Sequence, residues 1–154
     1  MAHDVLIIPA IPAHVAMLTP RLRDGDRAEV QAAGMAGKAV WRSFRQSAFC
    51  KTAFVDGEIA AMWGLGSPMA PVAHPWLLTA PPIEKIKLTF LRVGRNEVAA
   101  MLRASPVLAG IVDDSYERAI RYLRALGFEV GRPFSWGPYG MPFREYRLER
   151  SWVS

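Results

Sequence analysis

The sequence predicts an α+β domain, a mixed α/β arrangement with helices packed on both sides of one mostly antiparallel sheet. The first observation is a β-hairpin pattern, in which residues 52–55 and 58–63 flank the turn Asp56-Gly57. The second is a pair of short apolar runs, residues 74–79 and 107–112, separated by a long amphipathic stretch. Because a strand, a crossover helix and another strand form a parallel pair, we expect such a pair in the sheet.

Composition predicts one domain that spans residues 1–154. The chain has 154 residues, of which 51% are apolar, enough to fill a single core. Its one cysteine, Cys50, excludes an intramolecular disulfide and a multi-cysteine zinc site, and we interpret it as a small buried apolar residue. The net charge of +5 is spread along the chain without a basic tract, which favours a solvated surface over a specific nucleic-acid groove.

The N-terminal third predicts one strand and three helices. Residues 5–18 are interrupted by Pro9, Pro12 and His14, so they predict neither a signal peptide nor a membrane span. We expect a strand over residues 4–8 and a short helix over residues 12–18. A second helix has Asp24 or Asp26 as its cap and reaches Ala33, with Gly34 as its stop. A third covers residues 37–49, with one apolar face formed by Val40, Trp41, Phe44 and Ala48.

The middle of the chain predicts the hairpin, a loop, a strand and the longest helix. Residues 64–73 are rich in glycine and proline and predict a loop before the strand at residues 74–79. Pro81 and Pro82 precede a helix over residues 83–103, whose core-facing stripe is Ile83, Ile86, Phe90, Val98, Met101 and Leu102. A buried strand that runs into a helix start is a natural anion site, since helix N-termini present backbone N–H groups.

The C-terminal third predicts a strand, a helix and two more strands. After residues 107–112, the run Asp113-Asp114-Ser115 offers caps for a helix over residues 116–126, which ends at Gly127. The pattern predicts two strands, at residues 128–130 and 144–148. The aromatic loop that joins them, residues 133–140, suits a packed lid or a protein interface. Arg118, Arg121 and Arg124 form a basic stripe that is either solvated or in contact with an acidic partner or nucleic acid.

The run Glu117-Arg118-Ala119-Ile120-Arg121-Tyr122-Leu123-Arg124-Ala125-Leu126-Gly127-Phe128 resembles the last helix and its exit in the GNAT (Gcn5-related N-acetyltransferase) superfamily. More narrowly, the chain resembles podophage GNAT-like proteins of the internal virion protein A and phage acetyltransferase type. The matching pieces are Leu22-Arg23 with Asp26 and Glu29, Asp56-Gly57 with Ala61-Met62-Trp63-Gly64, Pro75-Trp76-Leu77-Leu78, Phe90-Leu91-Arg92, Arg121-Tyr122-Leu123-Arg124, and Gly137-Pro138 with Gly140 and Pro142-Phe143.

The resemblance implies a sheet splayed between residues 74–79 and 107–112, with acetyl-CoA bound in that gap. By analogy, the residues placed to contact acetyl-CoA are Leu77, Leu78, Thr79, Ile83, Glu84, Lys85 and Lys87. Active members hold the pyrophosphate with a glycine-rich loop, but here the segment contains Pro81 and Pro82, which lack an N–H, and no glycine. Glu84 adds a negative charge, which Lys85 and Lys87 partly offset.

The resemblance also implies an altered catalytic end. When Leu126-Gly127-Phe128 is aligned, the asparagine and the proton-donating tyrosine of active members fall on Glu117 and Leu123. Leucine cannot donate a proton, so the remaining candidates are Tyr116, Glu117 and Tyr122. Glu58 is a further possible base. His3, His14 and His74 are far apart in the sequence and predict no metal site.

The function that the resemblance implies is that of a phage GNAT-like internal virion or assembly protein with weak or lost acetyl-CoA chemistry. Its partners would be virion or assembly proteins, and it would be found in the host cytoplasm or the virion. The alternative is an active acyl-CoA-dependent N-acetyltransferase that acts on a small-molecule or protein amine.

Overall fold

The computed structural model describes residues 2–153 and contains one sheet of eight strands. They are β1 (Val5–Pro9), β2 (Ser47–Val55), β3 (Glu58–Gly66), β4 (Val72–Thr79), β5 (Val107–Asp113), β6 (Glu129–Val130), β7 (Phe134–Trp136) and β8 (Met141–Glu149). Their spatial order is β1-β2-β3-β4-β5-β8-β6, with β7 also paired to β8. All of these pairs are antiparallel except β4 with β5, which confirms the predicted mixed α/β class and its parallel pair.

Five α-helices cover the two faces of the sheet. They are α1 (Pro12–Leu18), α2 (Asp24–Ala32), α3 (Ala39–Arg45), α4 (Lys87–Ala104) and α5 (Glu117–Ala125), with 3₁₀ helices at Thr19–Arg21, Pro81–Ile86 and Arg150–Trp152. Helices α1, α2 and α3 share one core with Met62, whereas α4 and α5 share a second core with Trp63. Since successive side chains of a strand point to opposite faces, these neighbours on β3 show that the two cores lie on opposite sides. Among residues 2–153, no helix is long and apolar enough to cross a membrane.

The predicted third helix, residues 37–49, is too long. Helix α3 ends at Arg45, and residues from Ser47 onward belong to β2, where Ser47 pairs with Gly66 and Ala48 with Leu65. The register shifts between Ala48 and Lys51, and Phe49 adopts a positive φ of 58°. Residues 47–49 therefore pair with β3 or form this irregularity, although their sequence has helical periodicity. Trp41, which was predicted on the same apolar face as the buried Val40, is 46% exposed.

Other boundaries also differ from the prediction. The predicted loop over residues 64–73 is shorter, because β3 continues to Gly66 and β4 begins at Val72. The predicted helix over residues 83–103 begins as the 3₁₀ helix Pro81–Ile86 and becomes α-helical at Lys87; its core-facing stripe is buried, as predicted. The aromatic loop over residues 133–140 contains β7, which pairs with β8.

The hairpin between β2 and β3 has the predicted turn. Val55 pairs with Glu58, and the two turn residues have positive φ angles, 51° at Asp56 and 81° at Gly57. Such a turn requires left-handed conformations that glycine adopts without steric cost.

We expect Gly57→Ala to lower the free energy of unfolding by about 1 kcal/mol, because alanine is strained at this φ. A Cβ at Gly57 would have no neighbour within 4 Å, so backbone strain is the sole structural cause in the described residues. Urea denaturation measures the change. Gly57→Asn is the matched control and should stay close to wild type, since asparagine tolerates positive φ. Equal losses for the two variants would contradict this explanation.

Candidate active site between strands β4 and β5

Strands β4 and β5 are paired only at one end. Val72 pairs with Val107 and Ala73 with Leu108, after which the two strands separate. Beyond that point β4 remains paired with β3 as far as Thr79, and β5 remains paired with β8 as far as Asp113. The sheet therefore contains a wedge-shaped opening, which we call the strand gap, bounded by the last residues of β4 and β5.

A cavity of about 890 Å³ occupies the strand gap. Its lining includes Glu29 of α2 and Ser43 of α3, on one face of the sheet, and Phe90 of α4 and Tyr122 of α5, on the other. The cavity therefore passes between the strands and is bordered by helices of both layers. Pockets with these features, apolar walls and a few polar groups, are typical of ligand sites.

Helix α2 bridges the strand gap through two carboxyl groups one turn apart. The Thr79 backbone N–H donates to Asp26 Oδ2 at 3.1 Å, and the Thr79 hydroxyl also donates to that oxygen. The Asp113 backbone N–H donates to Glu29 Oε2 at 3.0 Å. Asp26 thus holds the end of β4 and Glu29 the end of β5, so α2 sets the width of the gap at its open end.

Both carboxyl groups have raised pKa values. Burial raises the pKa of Asp26, although the hydrogen bonds from Thr79 and the charge of Arg23 oppose the shift. Burial raises the pKa of Glu29 to about 8; the nearby carboxylates of Asp26 and Asp113 add to the shift, and the Asp113 N–H opposes it. Glu29 also lines the gap cavity. The wall of the strand gap therefore contains a carboxyl group with a pKa of about 8.

We expect stability to fall as the pH rises from 6.5 to 8. Folding raises the Glu29 pKa from 4.5 to about 8, so the folded chain retains a proton that the unfolded chain releases, and stability decreases with pH in between. The effect of His14 on the pH dependence of stability has the opposite sign. Burial lowers the pKa of His14 from 6.5, so its contribution to stability is lost as the pH falls below that value. Above pH 6.5 Glu29 dominates, at about 1.4 kcal/mol per pH unit, or ~2 kcal/mol over this range.

Chemical denaturation at a series of pH values measures this dependence. The Glu29→Gln variant keeps an acceptor for the Asp113 N–H but cannot titrate, so its stability should be nearly flat between pH 6.5 and 8. The assignment is wrong if wild type and variant lose stability in parallel.

Tyr146 lies at the closed end of the strand gap. It is on β8 opposite Gly110 of β5, and its hydroxyl reaches across β5 to donate to the Pro75 carbonyl of β4 at 2.8 Å. A Cβ on Gly110 would lie 2.4 Å from the Tyr146 hydroxyl oxygen, so the ring can take this path only over a glycine. Burial raises the pKa of Tyr146, and the phenol therefore keeps its proton.

The structure places two of the three predicted catalytic candidates, Tyr116 and Tyr122, on the gap cavity, and the third, Glu117, outside it. Tyr122 lines the gap cavity, stacks on Phe90 with ring centres 5.5 Å apart and donates to the Phe90 carbonyl at 3.0 Å. Tyr116 also lines the cavity, and its hydroxyl accepts a hydrogen bond from Arg23 at 3.1 Å. Burial raises the pKa of both phenols. Glu117 does not line the gap cavity.

The residues predicted to contact acetyl-CoA fall into two groups. Leu77, Leu78, Thr79, Ile83, Glu84 and Lys87 line the gap cavity. Lys85 lines instead a neighbouring cleft of about 1240 Å³ at the ends of β4 and β5. This second space, which we call the basic cleft, is lined by six cationic side chains, Arg21, Arg23, Arg27, Lys85, Arg118 and Arg121, and four carboxylates, Asp24, Glu58, Glu84 and Glu117.

Sequence reasoning missed the functional placement of Glu29 and Tyr146. The sequence indicates Asp26 as a helix cap and as part of the resemblance, Glu29 only as part of the resemblance, and Tyr146 only as part of a strand. Their positions depend on pairing between elements far apart in the chain, as in the contact between Glu29 and Asp113.

Within residues 2–153, no cluster of three or more His, Cys, Asp or Glu side chains is arranged to hold a metal ion.

No family model matches this sequence, and a comparison with curated protein sequences finds no significant match. Solved structures do match its fold. AAC(6')-Ib in complex with ribostamycin and coenzyme A has a TM-score of 0.69 and 17% identity, and the match covers 96% of this chain and 94% of that one. An N-acetyltransferase from Staphylococcus aureus Mu50 has a TM-score of 0.67 and 14% identity, covering 95% and 98%. The yncA protein from Salmonella typhimurium, with its cofactor acetyl-CoA, has a TM-score of 0.64 and 16% identity, covering 94% and 93%.

At these identities the likeness shows the fold. The chain therefore has the GNAT fold that its sequence predicted, with the splayed parallel pair in the middle of the sheet. The function must be argued from the site itself, since one fold supports many functions.

Proposed function

We propose that this chain binds an acyl-CoA in the strand gap and acts as an N-acyltransferase with a low turnover rate. The observation that carries the proposal is the cavity between β4 and β5, which joins the two faces of the sheet and has the titratable Glu29 on its wall. When bound, the acyl-CoA would supply an acyl group as a reactive thioester. Solved proteins of this fold that were crystallised with coenzyme A or acetyl-CoA support the choice of ligand.

The polarity of the cavity fits the two ends of such a ligand. Its lining includes apolar side chains such as Leu77, Phe90 and Val93, which suit a thin arm with few charges. The lining also includes the exposed side chains of Lys87 and Arg121, which suit phosphates. The residues present therefore match a ligand that has one uncharged part and one anionic part.

Glu29 is the residue best placed to accept a proton from an amine. A general base works best when its pKa lies near the working pH, and the pKa of Glu29 is about 8. The Asp113 N–H holds the carboxyl group by one oxygen, Oε2. An amine that enters the cavity from the α2 side would meet this carboxyl group before it reaches the gap between the strands.

Two features account for the low turnover. Leu123 occupies the position at which the resemblance implies a proton donor. Of the three phenols that line the gap cavity, Tyr122 and Tyr146 already donate to backbone carbonyls, and Tyr116 is hydrogen-bonded to Arg23. Pro81 and Pro82 remove two backbone N–H groups from the turn after β4. Both features weaken transfer without closing the cavity.

Calorimetry with acetyl-CoA, followed by an assay of thiol release with a panel of primary amines, tests the proposal. We expect binding and slow, amine-dependent release of thiol. Ala119→Trp, which places a large ring on the cavity wall, should abolish binding, whereas Ala28→Trp on the exposed face of α2 should not. The proposal is wrong if acetyl-CoA gives neither heat nor thermal stabilisation.

A second candidate is a phage internal virion or assembly protein that keeps this fold with little or no acyl transfer. It is favoured by the hairpin of β7 and β8, which exposes Phe134, Trp136, Tyr139 and Met141. Exposed aromatic and methionine side chains are typical of protein interfaces. Binding of acetyl-CoA without thiol release, together with recovery of the protein in purified virions, would favour this candidate. Its absence from virions, with assembly unaffected by its deletion, would exclude it.

A further inference from the structure

The gap cavity and the basic cleft meet at a small group of charged side chains. Arg23, Glu84 and Arg118 line both spaces, so any ligand that extends from the gap into the cleft must pass them. Arg118 Nη1 donates to Glu84 Oε1 at 2.7 Å, and Arg23 Nη1 lies 3.8 Å from the same oxygen. One carboxylate oxygen thus faces two guanidinium groups that come from opposite sides of the junction.

Arg23 is held in place by contacts with Thr79 and Tyr116 and by the carboxylate of Asp26, whose Oδ2 lies 3.7 Å from Arg23 Nε. Its Nε donates to the Thr79 hydroxyl at 2.7 Å, and its Nη2 donates to the Tyr116 hydroxyl at 3.1 Å. Its backbone N–H also donates to the Thr79 carbonyl. The side chain is only 19% exposed, so Nη1 is fixed in its direction toward Glu84. Guanidinium groups held in this way are suited to phosphate oxygens.

Glu84 is held less firmly than Arg23. It lies in the 3₁₀ helix Pro81–Ile86, and its side chain is 43% exposed, while that of Arg118 is 58% exposed. Exposed ion pairs contribute little, because solvent screens them. The carboxylate can therefore leave Arg23 and Arg118 at small cost, and a phosphate group carries more charge and more acceptor oxygens than the carboxylate it would replace.

We propose that Glu84 occupies an anion seat formed by Arg23 and Arg118, and that a phosphate of the ligand displaces it on binding. This inference rests on the proposed function insofar as the ligand is an acyl-CoA. The seat replaces the backbone N–H donors that Pro81 and Pro82 lack, and Glu84 acts as a built-in competitor that weakens binding. Lys85 and Arg121, which also line the basic cleft, add positive charge around it.

Calorimetric titration with inorganic pyrophosphate, at low and constant salt, tests the seat by itself. We expect Glu84→Gln to bind pyrophosphate about five-fold more tightly than wild type, the factor that corresponds to loss of an exposed ion pair. Glu117→Gln is the matched control, since it removes the same charge from the same cleft without breaking a contact to Arg23 or Arg118. It should change affinity less than two-fold. Arg118→Gln should weaken binding about ten-fold.

The seat is overturned if Glu84→Gln and Glu117→Gln tighten pyrophosphate binding equally, or if neither wild type nor Glu84→Gln binds it at millimolar concentration. Parallel titrations with acetyl-CoA separate this inference from the proposed function. If Glu84→Gln shows the expected pyrophosphate affinity but no variant binds acetyl-CoA, the proposed function fails and the seat stands. If acetyl-CoA binds wild type, Glu84→Gln and Arg118→Gln with equal affinity, the seat is wrong and the proposed function stands.

Discussion

Glu29→Gln is expected to lower the rate of acyl transfer about 100-fold, with little change in the affinity for acetyl-CoA. The glutamine keeps an acceptor for the Asp113 N–H, so the bridge from α2 to β5 is retained. It cannot accept a proton, and a general base contributes roughly 10²–10⁴ to the rate. Because the pKa of Glu29 is about 8, the wild-type rate should rise with pH up to that value, and the variant should lose this rise. Steady-state kinetics from pH 6 to 9 measure both effects.

The role of Glu29 as a base can be separated from its role in holding the gap open. Glu29→Ala removes both the titrating group and the acceptor for Asp113, so it should also lose stability, whereas Glu29→Gln should not at neutral pH. Glu129→Gln, on the exposed part of β6, is the control for a lost carboxylate and should keep wild-type kinetics. If Glu29→Gln retains the wild-type rate and pH profile, Glu29 is only a structural bridge.

The elements that the sequence predicts well are those with local causes. The turn Asp56-Gly57 determines a hairpin because two adjacent residues must have positive φ, and the chain does adopt that turn. The stripe that includes Phe90 and Met101 lies at helical spacing on one face of α4 and is buried. Helix α3 shows where local sequence patterns fail to predict structure. Ser47 and Ala48 fit the helical pattern, but they pair with β3 instead.

The site depends on contacts that no local pattern contains. The sequence predicts Asp26 as a helix cap, whereas the structure buries it against Thr79, 53 positions away. Nothing near Tyr146 indicates that its hydroxyl crosses β5 to reach β4; that path follows from the register that places it opposite Gly110. The sequence predicts the gap itself only through resemblance, because the separation of β4 from β5 results from pairing with β3 and β8.

Gly110→Ala is expected to lower the free energy of unfolding by about 3 kcal/mol, because the new Cβ would overlap the Tyr146 ring. In the present structure that Cβ would lie 2.4 Å from the hydroxyl oxygen, 2.5 Å from Cζ and 2.9 Å from Cε2 of Tyr146. The ring is buried against Phe128 and its hydroxyl is held by Pro75, so it cannot turn aside without losing both contacts. Urea denaturation measures the loss.

Gly131→Ala is the matched control for this substitution. Gly131 directly follows the paired residues of β6 in the same half of the sheet, but a Cβ added there would have the Glu145 carbonyl oxygen as its nearest neighbour, at 3.6 Å, an ordinary contact. It should change stability by less than about 0.5 kcal/mol. In a Tyr146→Leu background the blocking ring atoms are absent, so Gly110→Ala should cost less than half as much as in wild type. If Gly110→Ala lowers the free energy of unfolding equally in the two backgrounds, Gly110 is needed for a reason other than the passage of Tyr146 across β5. The closed end of the strand gap would then not depend on the Tyr146 ring.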